Sequence, residues 1–142
     1  MSDHYRKLEQ LYLNAPCNQY YKPKIHISEG TAEIRIKVEE KYFHGIRAVH
    51  GAVYFKVLDD AAFFSANSVI PDMYVLTANF SLYFIRPITS GEIRAVGKVT
   101  HIGKTQVLAE AVAYNSEGKK IASGSGTFII SKLRLSEEMN YT

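Results

Sequence analysis

The chain has 142 residues, 46% hydrophobic and 22% charged, enough for one domain with a substantial core and too apolar for a disordered chain. The net charge of +3 is small and the basic residues are dispersed, which excludes the electrostatic footprint of a nucleic-acid binder. A single cysteine, Cys17, excludes an internal disulfide framework and a cysteine-based metal cluster, and no run approaches the ~18 apolar residues of a membrane span. The polar start, Met1 to Lys7, carries no apolar signal region, so a soluble, cytoplasmic protein is expected.

Taken in order, Tyr5, Leu8, Leu11 and Tyr12 recur at helical spacing and predict a short amphipathic helix over 3–14, with Pro16 beyond its end. Residues 15–30 are turn-like around a short extended piece at 24–27. From 31 to 39, Ile34, Ile36 and Val38 alternate with charged residues, the pattern of a strand with one wet face. A loop over 41–49 holds His44 and Gly45 and leads to His50 and Gly51.

A long helix ending near Asn67 then follows, with Val53, Val57, Ala61 and Phe64 at three-to-four spacing. It is apolar on almost every side; Lys56, Asp60 and Asn67 form one narrow polar strip. Such a helix is expected to be buried. Beyond Pro71 the period becomes two, with strands predicted at 75–86, 92–101, 105–114 and 119–130, a turn at Gly103-Lys104 and a hairpin at Asn115 to Gly118. Gly124 and Gly126 in the last strand signal bulging, curvature or close packing. The tail, 132–142, is polar and predicted to be loose. Sequential antiparallel strands after one buried helix predict an α+β fold of one domain, 1–142, with a curved sheet wrapped round the helix.

The two adjacent carboxylates separate on the helical wheel. Asp60 lies one turn from Lys56, a solvated ion pair. Asp59 lies among Ala52, Phe55, Ala62, Phe63 and Ala66, where an unpaired charge costs several kcal/mol. It is either paired structurally with a residue the sequence does not reveal or kept for chemistry. The small residues beside it suggest close approach by another helix, from this chain or a second subunit. Gly51 at the helix start offers an N–H with no intrahelical partner at the positive end of the dipole, the arrangement of an oxyanion hole; the plainer reading is a helix cap. The two residues are ~12 Å apart along the axis, so one chain's Asp59 does not reach a carbonyl held at its own Gly51. The histidines lack metal-ligand spacing, and no phosphate loop, dinucleotide fingerprint or hydrolase elbow is present, so neither a metal nor a cofactor is expected.

His50-Gly51 followed by Leu58-Asp59 resembles the HGG…D signature of hotdog-fold acyl-CoA thioesterases of the phenylacetate-degradation type. Thr77, Phe84-Ile85-Arg86-Pro87, Gly91, His101-Ile102-Gly103-Lys104 and the run Ala122 to Phe128 extend the resemblance over about residues 30–131. It implies a hotdog fold and hydrolysis of an acyl- or aryl-CoA, coenzyme A being part of the substrate. It also implies a dimer or dimer of dimers with the site at the dimer interface. Asp59 would be general base or nucleophile and the Gly51 N–H would polarise the carbonyl. His50 would shape that pocket, and Thr77 would orient the water or the carboxylate. Asn79, Phe84 and the turn Gly103-Lys104-Thr105 would meet coenzyme A, with Lys104 suited to a phosphate by charge. Two positions depart from the family: His44 stands where Asn is usual, and Ala52 replaces the second motif glycine. His44 leaves open a hydratase or dehydratase pairing His44 or His50 with Asp59, and a non-catalytic acyl-CoA-binding module. Tyr54, Phe55, Phe63 and Phe64 are candidates for an acyl pocket or for plain core.

Overall fold

The apolar helix forms where its periodicity places it, from Gly51 to Ser68, and its last eight residues are all buried. The computed structural model describes residues 2–142. Its elements are α1 (Ser2–Leu13), α2 (Asn18–Tyr21), β1 (Lys24–Ser28), β2 (Thr31–Lys37), α3 (Gly51–Ser68), β3 (Met73–Phe84), β4 (Glu92–Ile102), β5 (Gln106–Tyr114) and β6 (Lys120–Arg134). The strands make one antiparallel sheet in the order β1-β2-β4-β5-β6-β3, and α3 packs on the face that carries Ile34, Ile36, Ala95, Val107, Ala111 and Phe128. The expected α+β architecture of one helix against a curved antiparallel sheet is borne out.

Chain order does not give strand order. β3 pairs with β6 at the far edge of the sheet, not with β4. The segment after Pro87 carries the chain back: Ile85 and Arg86 donate to the Ile121 carbonyl, Val49 donates to that of Ile88, and Val38 donates to that of Gly91 beside β2. Periodicity identifies strands but says nothing about partners, which long-range hydrogen bonds like these decide.

Three further differences have local causes. Asn67, expected on the polar strip, is fully buried. Its Oδ1 accepts the Val75 N–H at 3.0 Å and its Nδ2 donates to the Met73 carbonyl at 2.9 Å, so it ties the end of α3 to the start of β3. The tail expected to be loose from 132 is instead held. β6 continues to Arg134, opposite Met73; Leu135 is buried and its N–H donates to the Asp72 carbonyl; the Tyr141 hydroxyl lies 2.8 Å from His4 Nδ1. Lys132 and Arg134 disguise that strand as polar tail. The short α2 has too few residues to show a period.

A bulge sets the faces of β3. The register slips between Thr77 and Asn79, so Thr77 and Phe80 both turn toward α3, where strict alternation would oppose them. Phe80 meets Phe55 of α3 with centroids 5.5 Å apart and lies across Gly124 and Gly126 of β6, where a Cβ would come within 2.7 Å of its ring. The glycines of β6 thus serve close packing.

Candidate active site

Asp59 is half-buried on α3, and the bulge aims Thr77 at it: Thr77 Oγ1 donates to Asp59 Oδ1 at 2.9 Å. Asp59 Oδ2 has no partner among the described residues. Burial pushes the Asp59 carboxyl up to about 6; the Thr77 hydrogen bond opposes that rise, adjacent Asp60 adds to it and Lys56 reduces it. Asp60 has a different role, as its spacing from Lys56 predicts. Its Oδ2 accepts from Lys56 Nζ and from the Tyr12 hydroxyl, each at 2.7 Å. The pair separates into a clamped structural carboxylate and a carboxylate with one free oxygen and a raised proton affinity.

The start of α3 is built from the loop before it. His50 is the cap: its backbone is extended (φ −61°, ψ 142°) and its Nδ1 accepts the Ala52 N–H at 2.9 Å. Val53 N–H donates to the His50 carbonyl, which leaves the Gly51 N–H without an acceptor among the described residues. His44 accepts the Ile46 N–H on its own Nδ1 at 3.3 Å. A backbone N–H only donates, so both imidazoles hold an unprotonated Nδ1 and carry their proton on Nε2. The two rings lie 6.4 Å apart. Gly51 has a packing reason as well, because a Cβ there would come within 3.0 Å of the Phe84 ring.

Gly51 with His44, and Asp59 with Thr77, line two cavities with no residue in common; His50, expected to shape the Gly51 pocket, lines neither. One, of about 410 Å³, is lined by His44, Ala48, Gly51, Tyr54, Phe84 and Arg86. The other, of about 220 Å³, holds Asp59, Thr77, Lys56, Asp60, Phe63 and Phe64, with a wall from the α1–α2 region. Within one chain the Gly51 N–H and the Asp59 carboxylate therefore stand apart, as the rise of the helix requires. Of the aromatic candidates, Phe63 and Phe64 line the Asp59 cavity, Tyr54 lines the Gly51 cavity, and Phe55 is spent against Phe80.

The residues expected at coenzyme A line neither cavity except Phe84. Asn79 lies with Ser81, Glu110 and Thr127 on the sheet face away from α3, and Gly103, Lys104 and Thr105 form the β4–β5 turn, where Gly103 N–H donates to the Gln106 carbonyl. Sequence reasoning missed Tyr12, Cys17 and Tyr74 beside Asp59 and Ala48 beside Gly51. No local pattern marks them, because tertiary packing alone brings them there.

The family model of the thioesterase superfamily matches residues 47–122, a span that holds Gly51, Asp59 and Thr77 together. The chain belongs to the thioesterase superfamily. This thioesterase is a thioester hydrolase of the hotdog type, as its motifs imply. Its fold superposes on the PaaI protein of Escherichia coli, from the phenylacetic acid degradation operon, with TM-score 0.87 at 20% identity, over 95% of this chain and 98% of that one. It superposes on the Haemophilus influenzae thioesterase HI1161 with TM-score 0.80 at 16% identity, over 91% of each chain. A Thermoplasma acidophilum protein provisionally named an esterase is 25% identical over 105 residues, 74% of this chain and 80% of its own. No helix among the described residues is long and apolar enough to cross a membrane.

Proposed function

We propose that the thioesterase hydrolyses the thioester of an acyl-CoA in the cytoplasm, without metal or cofactor, in sites shared by two chains of a homodimer. The observation that carries this reading is that the Gly51 N–H, without an acceptor among the described residues, and the half-buried Asp59 carboxylate lie in separate cavities of one chain. The outer edge of β3 supports a second chain beside it: it pairs with no strand among the described residues and carries Leu76, Tyr83 and Phe84, with Ile85 just beyond and Tyr83 76% exposed.

In the proposed reaction the substrate carbonyl oxygen accepts the Gly51 N–H of one chain. Asp59 of the other chain takes a proton through Oδ2 from water as the oxygen of that water attacks the thioester carbon. The tetrahedral oxyanion is stabilised by the Gly51 N–H at the positive end of the α3 dipole. Collapse breaks the C–S bond, and the departing thiolate receives the proton held by Asp59. A carboxyl titrating near 6 suits a general base, being ionised at neutral pH and more basic than an exposed aspartate. Thr77 fixes the carboxylate and leaves Oδ2 for the water. Asn79 and Gly103-Lys104-Thr105 are proposed to meet coenzyme A from the outer sheet face of one chain.

His44 and His50 each accept a backbone N–H on Nδ1, an arrangement that favours Nε2–H as a donor to the carbonyl or the thiolate over a base for the substrate α-proton. Thiol release should be measured over acetyl-, medium-chain, long-chain and aryl-CoA substrates with wild type and Asp59→Asn. The expected result is release by wild type and a loss of about 10²–10⁴-fold in the variant, the range for removal of a positioned base. Hydration of enoyl-CoA without thiol release, or tight acyl-CoA binding without turnover, overturns this reading.

A further inference from the structure

The cavity that holds Asp59 and Thr77 is closed on one side by Leu11 and Tyr12 of α1, Ala15 and Cys17 of the turn after it, and Asn18 at the start of α2. On its other sides the lining includes Phe63, Phe64 and Tyr74, whose rings stack edge-on with Phe63 centroids 5.0 Å from Phe64 and 5.2 Å from Tyr74. A thioester whose carbonyl carbon stands within reach of a water on Asp59 has this space available for its acyl group.

The α1 side is a fixed wall. Leu8 and Tyr12 are buried, and the Tyr12 ring meets Phe64 at 5.0 Å. The Tyr12 hydroxyl donates to Asp60, which Lys56 holds from the other side. Asn18 Nδ2 donates to the Tyr12 carbonyl at 2.7 Å and ties the turn to the helix. At the far end of α1, His4 Nε2 lies 2.9 Å from the Asn67 carbonyl, its donor for that contact. Ala15 and Cys17 stand between these anchors with small side chains, and Cys17 reaches only Asn18, at 3.9 Å.

We propose that the α1–α2 turn is the size-selecting wall of the acyl pocket, with Ala15 and Cys17 as its specificity-determining positions. The proposal rests on the thioesterase reading above. An apolar cavity of about 150 Å³ holds a benzene molecule, so about 220 Å³, part of it beside Lys56, Asp60 and the water on Asp59, has room for an acyl group of about that size. That corresponds to a medium-chain or single-ring acyl group, and a large side chain at either position removes space from the side that anchored packing cannot give back.

The test compares kcat/KM for acetyl-, octanoyl-, benzoyl- and palmitoyl-CoA in wild type, Ala15→Phe, Cys17→Phe, and wild type alkylated at Cys17 with N-ethylmaleimide. Cys17 is exposed and is the chain's single cysteine, so alkylation adds bulk at the pocket wall of a protein that is already folded. The expected result is a fall of more than tenfold in the ratio of octanoyl- or benzoyl-CoA to acetyl-CoA, in the alkylated protein and in each variant that folds, the scale that pocket contacts of a few methylenes command. A wild type active across the panel, whose substrate ratios survive both alkylation and the variants that fold, overturns the wall alone. A wild type that releases thiol from no member of the panel overturns the hydrolase reading and the wall with it.

Discussion

Asp59→Asn should make the protein more stable at neutral pH while it abolishes turnover. Burial lifts the Asp59 carboxyl from its ordinary 3.8 to about 6, so the folded state holds a proton that the unfolded chain has already released. Below about pH 4 both states are protonated and the carboxyl has no differential cost. Between about pH 4 and 6 the folded state binds more protons than the unfolded state, so stability falls as pH rises, and above about 6 the whole cost is present. Each pKa unit is about 1.4 kcal/mol, which sets a ceiling of about 3 kcal/mol. Asp59 is only half-buried, and solvent screening reduces this to about 1–2 kcal/mol. Asn keeps the size of the side chain and an Oδ1 to accept from Thr77, but has no charge to desolvate. At this chain length the gain corresponds to a Tm about 3–8 °C higher at pH 7.5 and nearly equal Tm values at pH 4. Urea or thermal unfolding at both pH values measures the difference, at one fixed protein concentration because association shifts apparent stability. An offset between the two proteins that is the same at pH 4 and 7.5 would refute the proposed desolvation of Asp59.

In the proposed reaction the same carboxyl sets the acid limb of the rate. kcat/KM of wild type should fall tenfold per pH unit below about 6, and a limb near pH 4 would mean that Asp59 is solvated in the working enzyme. Thr77→Val removes the hydrogen bond that favours the ionised form, so that limb should move to higher pH with kcat about tenfold lower. An unchanged profile would show that Thr77 neither positions nor tunes Asp59. His50→Ala strips the cap from α3 and should cost about 1 kcal/mol in urea unfolding, a loss His50→Asn should largely restore. Gly124→Val should cost about 1–3 kcal/mol, because the new side chain meets the Phe80 ring and the Ser81 carbonyl; a neutral result would mean the ring moves aside freely.

The parts legible in the sequence are those that a local pattern determines. α3 is legible because its apolar residues recur at helical spacing and its second half is buried, and Asp59 stands out on it because a carboxylate among small and aromatic residues needs either a partner or a chemical use. The separation of Gly51 from Asp59 follows from helix rise alone, and the structure gives each its own cavity. What the sequence hides is set at long range. Nothing local says that β3 joins β6, that Tyr12 reaches across to Asp60, or that Asn67 serves β3. The end of β6 was hidden because Lys132 and Arg134 alternate as an exposed strand does while reading as tail. The cap role of His50 was within reach of the sequence: a side-chain acceptor just before an apolar run is a start signal, obscured by the glycine next to it.

If one thioester is cut by Gly51 of one chain and Asp59 of another, mixing two inactive variants restores activity. Gly51→Pro deletes the N–H at the first helical position, where proline is favoured and where the extended His50 before it is already compatible. Gly51→Ala, which keeps the N–H, controls for the contact of a new Cβ with the Phe84 ring. Asp59→Asn deletes the base. Each alone should be almost inactive. After co-refolding in equal amounts, half the dimers are mixed and each mixed dimer has one intact site of two, so thiol release should return to about a quarter of wild type. If the mixture stays as inactive as its components while mixed dimers are shown to form, Gly51 and Asp59 act within one chain or not together, and the shared site is contradicted.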